Sequence, residues 1–129
     1  MVRVPARRAD GTEDFYFVEL GAAYYPTWPT TVAFVAPTEE GWETARDGTR
    51  WWPSQKNQPG FPFGLHAVYT YPDQRVAPLV CFSHTFEYYI SGHNPTPSER
   101  WDPKSHTLSA TLTRIATVLQ APNYEGPSG

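Results

Sequence analysis

The sequence predicts an α+β domain in which an antiparallel meander sheet of about four strands carries one main helix on one face. Two observations predict it: short runs of aromatic and β-branched residues punctuated by glycine and proline, and an apolar stripe at helical spacing near the C-terminus. Strands followed by one helix bury their apolar faces against each other. The length of 129 residues suits a single domain, residues 1–129.

Four runs have the composition of strands. Residues 15–20, FYFVEL, are the clearest, and residues 2–8 are the expected antiparallel neighbour across an Asp-Gly turn. Residues 31–35, TVAFV, and residues 65–69, LHAVY, predict the other two strands.

Two segments, 37–62 and 83–100, have no clean period and are predicted to be long loops. The first contains Pro59 and Gly60, and its tryptophans either bury against the sheet or form a partner surface. These tryptophans are Trp42, Trp51 and Trp52.

The main helix is predicted from apolar residues at i, i+4, i+7 and i+11. Asp102 or Ser105 is expected to cap its start, Pro103 suits a first turn, and Pro122 is expected to stop it. Residues 123–129 are predicted to be a frayed tail. The stripe consists of Leu108, Leu112, Ile115 and Leu119.

Composition and charge argue against several classes of function. The net charge is −3 and the ten Lys and Arg residues are scattered, so nucleic-acid binding is not expected. No run approaches the roughly 20 apolar residues of a membrane span, and the N-terminus lacks the apolar region of a signal peptide. One cysteine makes neither a disulfide nor a metal cluster, and no cofactor is expected. A lone thiol fits the reducing cytoplasm.

Three blocks of sequence surround that cysteine, Cys81, at fixed spacings. Residues 25–34 read YPTWPTTVAF, and residues 71–73 read YPD, eight positions before Cys81. A Trp-x-Pro begins the third block at 101–103, ahead of the predicted helix and a Pro-Asn. In this order the blocks resemble the ubiquitin-conjugating (UBC-like) family. The residues that carry the third block are Trp101, Pro103, Pro122 and Asn123.

Membership of that family would imply an acyl transferase. Cys81 would accept the C-terminal carboxyl of a ubiquitin-like protein as a thioester from an activating enzyme, then pass it to an amine, with or without a ligase. The family's Asn is thought to support the oxyanion that develops on attack, for which a donor is worth about 3 kcal/mol.

The chain departs from the family pattern at several positions. Asp73 replaces the Asn: it could act protonated, hold the turn through backbone N–H groups, or deprotonate the incoming amine. Tyr71, ahead of Pro72, replaces a mostly structural His and could fill that position by packing. The usual N-terminal and C-terminal helices are not expected, which suggests a divergent system, such as a bacterial one.

Two other functions remain open from the sequence. A catalytically inactive UBC-like module would bind a ubiquitin-like protein or scaffold a conjugation complex. A thiol hydrolase would use Cys81, His84 and Asp73. His84, three residues beyond the cysteine, is a candidate base, although a loop histidine bonded to the backbone is the plainer interpretation.

Overall fold

The computed structural model describes residues 1–56, 58, 61 and 63–129. Its fold is α+β. The described residues form eight strands and two helices, and the strands fall into three antiparallel sheets. The predicted loop positions Pro59 and Gly60 lie outside the described residues.

The largest sheet is a four-stranded meander in the order β1-β2-β3-β4. Its strands are β1 (Val2–Arg7), β2 (Glu13–Gly21), β3 (Thr31–Thr38) and β4 (Gly41–Thr44). The coarse fold prediction is therefore confirmed, as are the first three strands. The fourth strand of this sheet is 41–44, however, and not the predicted 65–69.

The predicted strand at 65–69 belongs to a separate hairpin. Strand β6 (Gly64–Thr70) pairs with β7 (Val76–Cys81), with Gly64 opposite Cys81. Strand β7 also contacts β3, so the hairpin lies against the meander.

The two predicted long loops contain regular structure. Segment 37–62 holds the end of β3, strand β4 and strand β5 (Pro53–Gln55), while 83–100 holds helix α1 (Phe86–Ile90). Elements of three to five residues are too short to produce a detectable period in the sequence, which is why the sequence suggested loops.

The main helix, α2, spans Leu108–Val118 and contacts β1. Thr107 caps it, because its side chain accepts a hydrogen bond from the Ala110 N–H, so the predicted caps Asp102 and Ser105 were wrong. These two residues instead form a separate turn in which the Ser105 hydroxyl donates to Asp102.

The buried face of α2 is shifted from the predicted stripe. Ile115 and Leu119 are fully buried, whereas Leu108 is 42% exposed because the buried part of the helix begins only at Thr111. The helix ends at Val118, before Pro122.

The C-terminus is a strand rather than a frayed tail. Strand β8 (Tyr124–Pro127) pairs with β5, and the Tyr124 hydroxyl lies 2.7 Å from that of Tyr16 in the core. The aromatic residues Tyr16, Phe34, Phe82 and Tyr124 fill the space between the meander, the hairpin and α2.

Candidate functional site

Cys81 lies at the end of β7, on the wall of a cleft of about 610 Å³. The residue is only 4% exposed. The cleft is also lined by side chains from β5, β6 and α1 and from the segments that follow β5 and α1. Those with polar groups are Gln55, Gln58, His66, Tyr88 and His93.

The Cys81 thiol is held protonated by its surroundings. Burial raises its pKa above the ordinary value, and the nearby Glu87 carboxyl acts in the same direction. A weak hydrogen bond to the Ser91 hydroxyl, with Sγ and Oγ 3.6 Å apart, partly opposes the rise. In the free protein Cys81 is therefore a protonated thiol rather than a thiolate at neutral pH.

His66 reaches the same cleft because Gly64, two residues before it on β6, has no side chain to occupy that space. In the β6–β7 hairpin, Gly64 pairs with Cys81 and His66 with Leu79, so His66 and Cys81 are diagonal neighbours on one face. A Cβ on Gly64 would lie 2.9 Å from His66 Nε2 and 3.6 Å from the Cys81 carbonyl oxygen. The missing side chain thus leaves room for an imidazole beside the cysteine.

A second imidazole closes the cleft from the helix side. His93 stacks on Tyr88 of α1, with ring centroids 4.4 Å apart and planes at 6°. Both residues line the cleft. Two histidines that are far apart in sequence therefore line the same cleft as the only cysteine of the chain.

Asp73 holds the turn of the hairpin. Its Oδ1 accepts a hydrogen bond from the Arg75 N–H at 3.1 Å, which is what the turn-holding role requires. The Arg75 guanidinium lies 4.0 Å above the Tyr71 ring, and the Tyr71 hydroxyl donates to the Pro78 carbonyl. Together with the exposed Pro72, these residues line a different cleft from that of Cys81.

His84 lines a third cleft, with His106 and Arg114. Among the described residues, no hydrogen bond joins Cys81, His84 and Asp73, so the structure does not bring the three predicted catalytic residues together through such bonds. The His84 Nδ1 atom is buried and has no partner in this part of the chain, contrary to the backbone-bonded loop histidine expected from the sequence.

The remaining predicted motif residues lie in turns or form backbone hydrogen bonds. The Trp101 N–H donates to the Tyr89 hydroxyl at 2.7 Å, while Pro103 and Pro122 are exposed in turns. The Asn123 carbonyl accepts from the Lys56 N–H, but its side-chain Nδ2 is buried without a partner among the described residues.

Sequence reasoning missed His66, Tyr88, Ser91 and His93. His66 was also out of reach, because the turn pairs Thr70 with Val76, and plain alternation from that pair would place Leu65 opposite Cys81; the register shift between His66 and Tyr69 brings His66 to that face instead. The other three depend on a five-residue helix that has no sequence period.

Comparisons with known proteins found no match: no family model, no curated protein and no solved structure is significantly similar to this chain. Within the described residues, no helix has the length and apolar character needed to cross a membrane. No group of three or more His, Cys, Asp or Glu side chains in those same residues is arranged to hold a metal ion.

Proposed function

We propose that this chain is a UBC-like conjugating enzyme that carries a ubiquitin-like protein as a thioester on Cys81 and transfers it to an amine. The observation that carries the proposal is the position of the sole cysteine, at a strand end on the wall of a cleft and eight residues after the YPD turn. The partners would be the modifier, an activating enzyme and, for some acceptors, a ligase. A reducing compartment such as the cytoplasm would keep the thiol free.

The first step is thioester exchange. The Cys81 sulfur attacks the carbonyl carbon of the incoming thioester and forms a new carbon–sulfur bond. The original carbon–sulfur bond then breaks, and the donor's sulfur leaves as a thiolate. The Cys81 proton goes to a base and then to the departing thiolate. In the second step a neutral amine attacks the thioester carbonyl, the Cys81 thiolate leaves and an amide forms, and the proton that the amine nitrogen loses passes through a base to the Cys81 thiolate.

Because burial keeps the Cys81 thiol protonated, the exchange needs a proton acceptor in the cleft. His66 and His93 line the cleft with Cys81, and imidazole is the side chain suited to proton transfer near neutral pH. In this proposal they replace His84, which lines another cleft. Asp73 shapes the turn before the cysteine and does not touch the reacting atoms.

One observation favours the alternative, an inactive module that binds a ubiquitin-like protein or scaffolds a complex. Cys81 is 4% exposed and its pKa is raised, and a thiol kept for transfer must be reached by the donor carbonyl. The two functions differ in whether the folded protein can be acylated.

The test is acylation of the folded chain by a peptide that ends in Gly-Gly and carries a mercaptoethanesulfonate thioester. Mass spectrometry of the intact protein should show one adduct that dithiothreitol removes, and Cys81→Ala should show none. Since Cys81 is the only cysteine, an adduct that survives in this variant would reject the proposal. The variant His66→Asn should form the adduct more slowly and should remain folded.

Alkylation by iodoacetamide separates the two functions. The conjugating enzyme should be acylated and alkylated while folded, more slowly than free cysteine because of the raised pKa. The inactive module should react with neither reagent until urea unfolds it.

A further inference from the structure

The third cleft, of about 290 Å³, shares Tyr88 with the Cys81 cleft and gathers basic and hydrogen-bond-donating groups from three parts of the chain. His84 comes from the turn after β7, His106 from the turn before α2, and Arg114 from α2 itself. Ser83 and Ser98 contribute hydroxyls. The cleft plays no part in the proposed thioester chemistry.

The two imidazoles are fixed against each other. Their ring centroids are 4.3 Å apart, and the His84 ring also packs against Phe82. His106 Nδ1 accepts a hydrogen bond from the Asp102 N–H at 2.8 Å, so the proton of the neutral ring is on Nε2. His106 therefore has Nε2 left for a ligand, and the buried Nδ1 of His84 has no partner among the described residues.

Arg114 carries the positive charge of the cleft and forms no ion pair among the described residues. Glu99 is the acidic residue on the cleft wall, and its Oε2 already accepts from the Thr96 hydroxyl at 3.0 Å and from the Thr96 N–H. Burial is the main cause that lowers the pKa of His84 to about 4, and His106 and Arg114 contribute to the same shift, so these groups act on the same space.

We propose that this cleft binds a phosphate group through Arg114, His84 and His106. A guanidinium presents paired donors that match phosphate oxygens, and the two ring N–H groups and serine hydroxyls would serve the others. A bound dianion would also supply the counter-charge that Arg114 lacks among the described residues. A carboxylate has two oxygens and would leave donors from at least one side unpaired.

The proposal is tested by titrating the full chain with inorganic phosphate at pH 7 and constant ionic strength, while the histidine ring signals are followed by NMR. The His84 and His106 signals should move to a saturating end point. Arg114→Gln should weaken the affinity by about tenfold, the usual effect of losing a charged hydrogen-bond partner. Arg46→Gln removes the same charge from an exposed site elsewhere and should change the affinity less than about twofold.

A second variant covers the chance that loss of the half-buried Arg114 disturbs the helix. His106→Asn keeps a side-chain acceptor near the Asp102 N–H and should also weaken phosphate binding. Acetate in place of phosphate should bind more weakly. Linear shifts without saturation, equal affinity for acetate, or affinities unchanged in both folded variants would overturn the proposal.

Discussion

At the scale of single residues, Glu87 is a buried carboxyl whose charge the fold does not favour. It is 7% exposed in the first turn of α1, where its two oxygens accept from the Val32 N–H at 3.1 and 3.3 Å. Burial raises its pKa to about 7, and the hydrogen bonds from backbone N–H groups only partly oppose this rise. Protonation of the Glu87 carboxyl therefore affects the stability of the junction between α1 and β3.

The raised pKa predicts how stability changes with pH. Between 4.5 and about 7 the folded protein keeps a proton on Glu87 that the unfolded chain releases, so Glu87's contribution to stability is fully present below pH 4.5 and is lost as the pH rises through 7. The loss is on the order of 3 kcal/mol. Glu87→Gln keeps an oxygen for the Val32 N–H without a charge. It should match the wild type at pH 4.5 and exceed its unfolding free energy by about that amount above pH 7.

Urea unfolding at pH 4.5, 5.5, 6.5 and 7.5 measures this difference. His84→Gln is the matched control, because the pKa of His84 is lowered to about 4 and its contribution to stability is lost as the pH falls. Its difference from the wild type should therefore grow in the opposite direction. Parallel stability curves for wild type and Glu87→Gln would contradict the prediction.

At the scale of elements, Thr85 joins the end of β7 to the start of α1. Its buried Oγ1 accepts from the Phe82 and Tyr88 N–H groups and donates to the Phe82 carbonyl at 2.9 Å. The Phe86 N–H then donates to the Thr30 carbonyl, next to β3. One hydroxyl therefore sets the angle at which the chain leaves Cys81 and enters the helix that carries Tyr88.

Replacing Thr85 with valine, which has the same shape, should cost about 2 kcal/mol, because the buried Phe82 N–H loses its acceptor, while the Tyr88 N–H keeps its bond to the Thr85 carbonyl. Thr107→Val at the exposed cap of α2 should cost only about 1 kcal/mol, since water can take the place of the hydroxyl. Urea denaturation of both variants gives the comparison. Equal losses would show that the Thr85 hydroxyl acts only as a helix cap.

The sequence predicted the elements that have a clear period and an apolar face. Strands β1, β2 and β3, the hairpin strand β6 and helix α2 were visible because their composition or spacing repeats over five residues or more. Strands β4, β5 and β8 and helix α1 were not, because they are too short and are held by partners distant in sequence. The candidate site shows the same pattern: the sequence predicted Cys81, but it did not predict the residues that α1 and the segment after it contribute.

At the scale of the whole molecule, a hydrogen-bonded chain of polar groups ties the C-terminus to the first hairpin. The Tyr124 hydroxyl of β8 donates to Asp14 Oδ2 at 3.0 Å and so accepts from the Tyr16 hydroxyl at 2.7 Å. Arg8 holds the same carboxylate at 2.8 Å. Burial acts to raise the pKa of Asp14, but the bonds from Arg8 and Tyr124 outweigh it and hold that pKa below the ordinary value.

This arrangement predicts strong coupling between the two tyrosines. Tyr124→Phe should cost about 3 kcal/mol, because it leaves the fully buried Tyr16 hydroxyl without an acceptor and removes a donor from Asp14. Tyr16→Phe should cost less, since Tyr124 keeps its bond to Asp14. The double variant should lose at least about 1 kcal/mol less than the two single losses together, because Phe at both positions leaves no orphaned hydroxyl.

Urea denaturation of the two single variants and the double variant measures this coupling. Tyr69→Phe is the matched control: its hydroxyl forms no hydrogen bond among the described residues, so the change should stay within about 0.5 kcal/mol. Additive losses at Tyr16 and Tyr124 would mean that the two hydroxyls act independently. Strand β8 would then be held by its pairing with β5 and by the packing of the Tyr124 ring in the core, without a further contribution from coupled hydroxyls.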